Sequence, residues 1–174
     1  MSSPRKRPKR LSFVEAMRRG ATLLQTGRAH DALPLLKRAY QLAPDDVDAA
    51  INLGGAFVML NRPQEAIPVL EKATDLAPDN SKIWINLGAA YLGNPILASS
   101  DKQAQAIAAF EKALELDPVA PSVNYNLGLI YRDQNDLPAA IAHFRRAAAI
   151  NPRDLDARKL LNRLEKQHGA QSRD

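Results

Sequence analysis

The side chains best equipped for chemistry are three histidines, a scatter of carboxylates and a dense basic run at the N-terminus. His30, His143 and His168 share no i, i+4 spacing, and no H-E-x-x-H motif occurs, so the sequence offers no zinc site. There is no cysteine, which removes disulfides, thiolate ligands and a thiol nucleophile together. A Gly-rich phosphate loop and a G-x-S-x-G elbow are also missing. The carboxylates either scatter along the chain or sit in turns after prolines, as in Asp45-Asp46, where they suit helix N-capping. No catalytic constellation and no cofactor site emerges, and the chain reads as a non-enzyme. Arg5, Lys6, Arg7, Lys9 and Arg10 suit contact with nucleic acid or an anionic lipid surface, or nuclear import in a eukaryote. A plain solubilising tail is the simpler role. The remaining 19 Lys and Arg match 19 Asp and Glu, so the net charge of +5 sits in the first ten residues.

The elements that must carry any site are marked by a repeat. Asn-Leu-Gly occurs at 52–54, 86–88 and 126–128, followed each time by an aromatic residue, Phe57, Tyr91 or Tyr131. Ala66, Leu70, Ala73 and Pro78 follow the first of these. Ala106, Phe110, Ala113 and Pro118 follow the second, and Ala140, Phe144, Ala147 and Pro152 the third. A more degenerate copy comes first, with Gly20, Leu23, Ala32, Leu36, Ala39 and Pro44. The prolines are separated by 34, 40 and 34 residues. Two antiparallel helices explain the pattern: Gly and Ala stand where backbones approach, large apolar residues fill the space around them, and Pro stops the second helix. Self-similarity at such a period names a repeat architecture before any single helix is assigned.

This pattern resembles the tetratricopeptide repeat family. The resemblance implies an all-α, right-handed solenoid of four helix-turn-helix repeats, about 13–46, 47–80, 81–120 and 121–154, with a capping helix at 155–168. Residues 1–11 are expected to form a disordered basic tail and 169–174 a frayed end. In the family the first helix of each pair lines an inner groove. Carried over by position, that groove takes Arg18, Asn52, Asn86 and Asn126 at its sixth position. It takes Ile51, Ile85 and Tyr125 at the fifth, Lys82 at the second of the third repeat and Arg132 at the twelfth of the last. The Asn row is similar to the asparagine ladder in the repeat arm of O-linked N-acetylglucosamine transferases. An amide carries one acceptor and two donors, so it can pair with both polar groups of a peptide unit. Chaperone adaptors with a carboxylate clamp are a poorer match, because only Asn52 and Lys82 fit their Lys and Asn set.

The third repeat has six extra residues, expected in the Gly93–Ser100 segment. Gly93-Asn94-Pro95 is a turn signal, Ile96 and Leu97 are apolar, and Ser100 with Gln103 reads as a capping box. Ser12 with Glu15 reads as another, opening the first helix. Pro34 and Pro68 are expected near the first turns of their helices, where a missing N–H costs least. The last helix has Leu155, Leu160, Leu161 and Leu164 for the core and Arg158, Lys159, Arg163 and Lys166 for solvent. No run approaches 18 apolar residues, so no membrane span is expected, and no apolar stretch near the N-terminus suggests a secretory signal. Together with the absent cysteines this leads to a cytoplasmic expectation, or a nuclear one in a eukaryote. The function expected is binding of a protein or extended peptide, as a scaffold or adaptor. Nucleic-acid or anionic-surface association through the tail is the alternative, and the repeat arm of a multi-chain enzyme is a third reading.

Overall fold

The computed structural model describes residues 11–93 and 98–171. The basic run Arg5–Arg10 and the segment holding Asn94, Ile96 and Leu97 therefore lie outside the described residues. Those residues form nine α-helices and no strand: α1 (Phe13–Gln25), α2 (Ala29–Leu42), α3 (Val47–Met59), α4 (Pro63–Leu76), α5 (Ser81–Leu92), α6 (Ser100–Leu116), α7 (Pro121–Asp133), α8 (Leu137–Ile150) and α9 (Leu155–Gln171). The last helix runs through 169–171, which the sequence reading leaves frayed. Gly169 has open space around it and does not stop the helix.

Side chains from the turns start many of these helices. Ser12 accepts from the Glu15 N–H, Asp46 from Ala49, and Asp136 from Ala139. The capping box at Ser100 does not form. Ser99 is the N-cap residue, without a side-chain cap, and Ser100 is already helical. Gln103 reaches back to the Ala98 carbonyl instead. Pro34 and Pro68 are each the sixth residue of their helices, in the second turn, and neither helix breaks.

Within three of the four pairs the same turn recurs. Gly27, Asn61 and Asn135 have positive φ of 76°, 52° and 61°. In each case its N–H and the next one fold back to the helix end: Gly27 to Leu24 and Arg28 to Leu23, Asn61 to Val58 and Arg62 to Phe57, Asn135 to Arg132 and Asp136 to Tyr131. This left-handed cap satisfies carbonyls that the helix leaves without partners. Asn tolerates the conformation where Gly is absent. The longer third repeat uses Gly93, with φ 53° and ψ −118°, in place of this turn.

The core lies between the helices of each pair. Ala32, Ala66, Ala106 and Ala140 are fully buried, as are Leu36, Leu70, Phe110 and Phe144. Opposite them, Gly20, Gly54, Gly88 and Gly128 leave no room for a methyl group. A Cβ on Gly88 would lie 2.6 Å from Phe110, and one on Gly54 would lie 2.5 Å from Leu70. The backbones approach at these glycines because nothing projects there. The fourth repeat position is irregular: it holds Ala16, Ala50 and Trp84, then Asn124, a buried polar residue.

Candidate partner-binding groove

The odd-numbered helices of the first three pairs form an inner layer. α1 packs on α3 and α3 on α5, whereas the even-numbered helices do not pack closely on one another. Helices that touch side by side occupy the short radius of a curved stack, and those held apart occupy the long one. The inner face is thus the concave one.

Its residues converge at one point with particular clarity. A Cβ on Gly55 in α3 would be 3.5 Å from the Asn86 amide in α5 and 3.7 Å from Leu24 in α1. Three successive inner helices therefore meet around a glycine. Asn86 donates through Nδ2 to the Ile51 carbonyl across the α3–α5 junction, at 3.2 Å.

The other two asparagines are placed differently. Asn52 donates to the Asp48 carbonyl of its own helix at 2.8 Å. The Asn126 side chain makes no hydrogen bond to the described residues, and the residue is half-buried. The row is therefore not three equivalent solvent-facing amides, as the repeat position implies. Two of them have already committed one N–H to the solenoid, and each keeps its carbonyl oxygen and a second N–H. Ile51, Ile85 and Tyr125 sit beside them, half-buried, each anchored in a different core cluster. The Tyr125 ring meets Phe144 edge-on at 5.6 Å between centroids.

Of the charged groove candidates, Arg18 and Arg132 fall in the first and last repeats and Lys82 in the third. Lys82 is exposed in the first turn of α5, where its N–H donates to the Asn80 side chain. Arg18 is exposed and lines a cleft between α1 and α2 with Arg19 and Arg28, apart from Asn52. Arg132 pairs with Asp133 at 2.7 Å and faces α9.

A model of the tetratricopeptide repeat matches residues 17–81, 56–100 and 95–154, which together take in most of the chain. The chain belongs to the tetratricopeptide repeat family. Membership suggests a protein-interaction scaffold, and proteins of this family are in general non-catalytic. No curated protein shows a match in sequence. Among solved structures, the fold is shared with TTC0263, a thermophilic protein of Thermus thermophilus, at a TM-score of 0.76 and 22% identity, over 91% of this chain and 84% of that one. It is shared with MamA from Desulfovibrio magneticus RS-1 at a TM-score of 0.67 and 23% identity, over 83% and 78%. It is also shared with a chain of the APC/C hetero-tetramer Cut9-Hcn1, at a TM-score of 0.77 and 24% identity, over 88% of this chain but 30% of that one.

Two polar features of these tetratricopeptide repeats escape sequence reasoning. Asn124, 1% exposed, meets His143 Nδ1 at 3.1 Å, and the His143 ring stacks on Tyr131 at 5.3 Å. Burial, with Arg146 nearby, holds the His143 imidazole below its ordinary pKa. Tyr91 donates to Glu71 at 2.7 Å across the α4–α5 junction, and burial beside that carboxylate pushes its pKa up to about 12. Each pair joins residues roughly twenty positions apart, so only the polar letter in an apolar register signals it. Among the described residues no group of three His, Asp or Glu is placed to hold a metal, and no helix is long and apolar enough to cross a membrane.

Proposed function

We propose that this protein is a non-catalytic scaffold that holds a partner as an extended peptide along the inner face of α1, α3, α5 and α7. The observation that carries the reading is the cluster at the half-buried Gly55, where Leu24 and the Asn86 amide meet on the inner face. A shallow floor at a glycine lets a ligand backbone come close. Unspent amide groups of Asn52, Asn86 and Asn126 can then pair with peptide N–H and C=O groups. Ile51, Ile85 and Tyr125 add apolar contact. Packed helices are about 8–10 Å apart and an extended chain rises about 3.3 Å per residue, so one amide per repeat would meet about every third residue.

The test begins with a pull-down from the native cell, identified by mass spectrometry, and then titrates the captured partner. Asn126→Ala should weaken binding by up to roughly tenfold, the value of one net hydrogen bond. Asn86→Ala should do so for every ligand sequence, and Lys82→Ala only for acidic ones. Affinity that ignores all three Asn→Ala changes would place the partner elsewhere.

A further inference from the structure

The inner face does not close at its C-terminal end. α9 packs on α8, while α7 and α9 are not in close contact and leave a cleft of about 350 Å³ between them. Its lining is Tyr125, Leu129 and Arg132 from α7 with Lys159, Leu160 and Arg163 from α9, beside Asp156. Positions 156, 159, 160 and 163 are one helical stripe, and a second hollow carries it on through Asn162 and Lys166. The basic residues of α9 are all exposed, and three of them line a concave part of the surface. Lys159, Arg163 and Lys166 flank a concave surface floored by Tyr125, Leu129 and Leu160.

The charge balance of that surface is uneven. Asp154 is occupied in capping α9, accepting from the Asp156 and Ala157 N–H groups. Asp156 stands 3.9 Å from Lys159, Asp133 holds Arg132, and Glu165 holds Arg145 at 2.6 Å. Asp154 and Asp156 both bear on Tyr125 at the floor, while Arg163 and Lys166 have no acidic partner among the described residues. An apolar floor with Arg163 on its rim and Lys166 beside it, both without an acidic partner, is complementary to carboxylates spaced around one apolar side chain. RNA would instead favour exposed aromatic faces for stacking, and the one aromatic ring here already packs on Phe144.

We infer that the α7–α9 cleft binds an acidic peptide segment bearing one apolar residue. The inference rests on the groove reading above and names the chemistry of the ligand at this end.

The experiment is fluorescence anisotropy of the full chain with a fluorescein-labelled peptide, a central Phe flanked on both sides by Glu. A Gln-flanked peptide and polyuridylate serve as comparisons. The Glu peptide should bind, weaken as salt rises, and lose roughly tenfold or more in affinity with Arg163→Glu plus Lys166→Glu. Both positions are exposed, so circular dichroism melting should stay unchanged in the variant. No binding of the Glu peptide overturns the inference. So does binding that survives the double substitution, which would assign the attraction to the N-terminal basic run. Tighter binding of polyuridylate, lost in the same variant, would make the cleft a nucleic-acid site. If both peptides bind equally and only Asn86→Ala weakens them, the groove reading stands and the acidic preference falls.

Discussion

Gly88 and Gly169 are both helical glycines, and their surroundings give them opposite meanings. A methyl group on Gly88 would fall 2.6 Å from the ring of Phe110, which is fully buried and packed on every side. Gly169, in α9, has nothing within 4 Å. Gly88→Ala should therefore destabilise by about 1–3 kcal/mol through overpacking. Gly169→Ala should be neutral or stabilise by up to about 1 kcal/mol, because Ala loses less backbone entropy in a helix. For a domain of this size each kcal/mol is worth about 2–4 °C of melting temperature. Thermal unfolding by circular dichroism would separate the two. An unchanged midpoint for Gly88→Ala would mean that α5 and α6 do not touch as described.

At the scale of the element, α9 shows how a helix chooses its buried stripe. Leu155, Leu160, Leu161 and Leu164 look alike in the sequence. In the structure Leu164 is 3% exposed, Leu160 and Leu161 are half-buried, and Leu155 is 62% exposed. Ala157 takes the fully buried place near the start of the helix. Asp154 caps α9 and fixes its entry, and the contact with α8 sets its rotation. Leu164→Ala should cost about 2–5 kcal/mol, the usual range for a truncated core leucine. Leu155→Ala should stay within about 0.5 kcal/mol, as surface changes do. Equal losses in urea denaturation would show that α9 is rotated from the orientation described.

The whole molecule is quasi-one-dimensional: each helix pair contacts its neighbours in sequence, and no single centre gathers the core. Stability in such a chain is the sum of pair packing and junctions between pairs. The first ten residues offer no apolar face to either kind of contact. Deleting Met1–Arg10 should leave helicity and the melting curve unchanged, while the net charge of the chain falls to near zero. If the full chain binds nucleic acid, that binding should fall steeply with salt and vanish on deletion. A melting shift on deletion would instead reveal docking of the tail on the repeats.

The period, the helix pairs and their core were legible because they depend on local rules. Gly88 faces Phe110 and Ala140 is buried whatever the rest of the solenoid does, since two antiparallel helices joined by a short turn meet at set positions. Residues before the prolines, Ala43, Ala77, Asp117 and Asn151, end their helices for an equally local reason, the clash with the proline ring. The inner face was decided by tertiary structure. Asn52, Asn86 and Asn126 share one repeat position, yet one bonds its own helix, one crosses to α3 and one makes neither contact. The sequence could not rank them, because the distance between inner helices depends on the angle between pairs. That distance differs along the stack: α3 and α5 meet closely, and a cleft opens between α7 and α9. The same spacing turns Lys159 and Arg163 from an ordinary solvated face into the rim of a cleft, a relation between repeats that no single period contains.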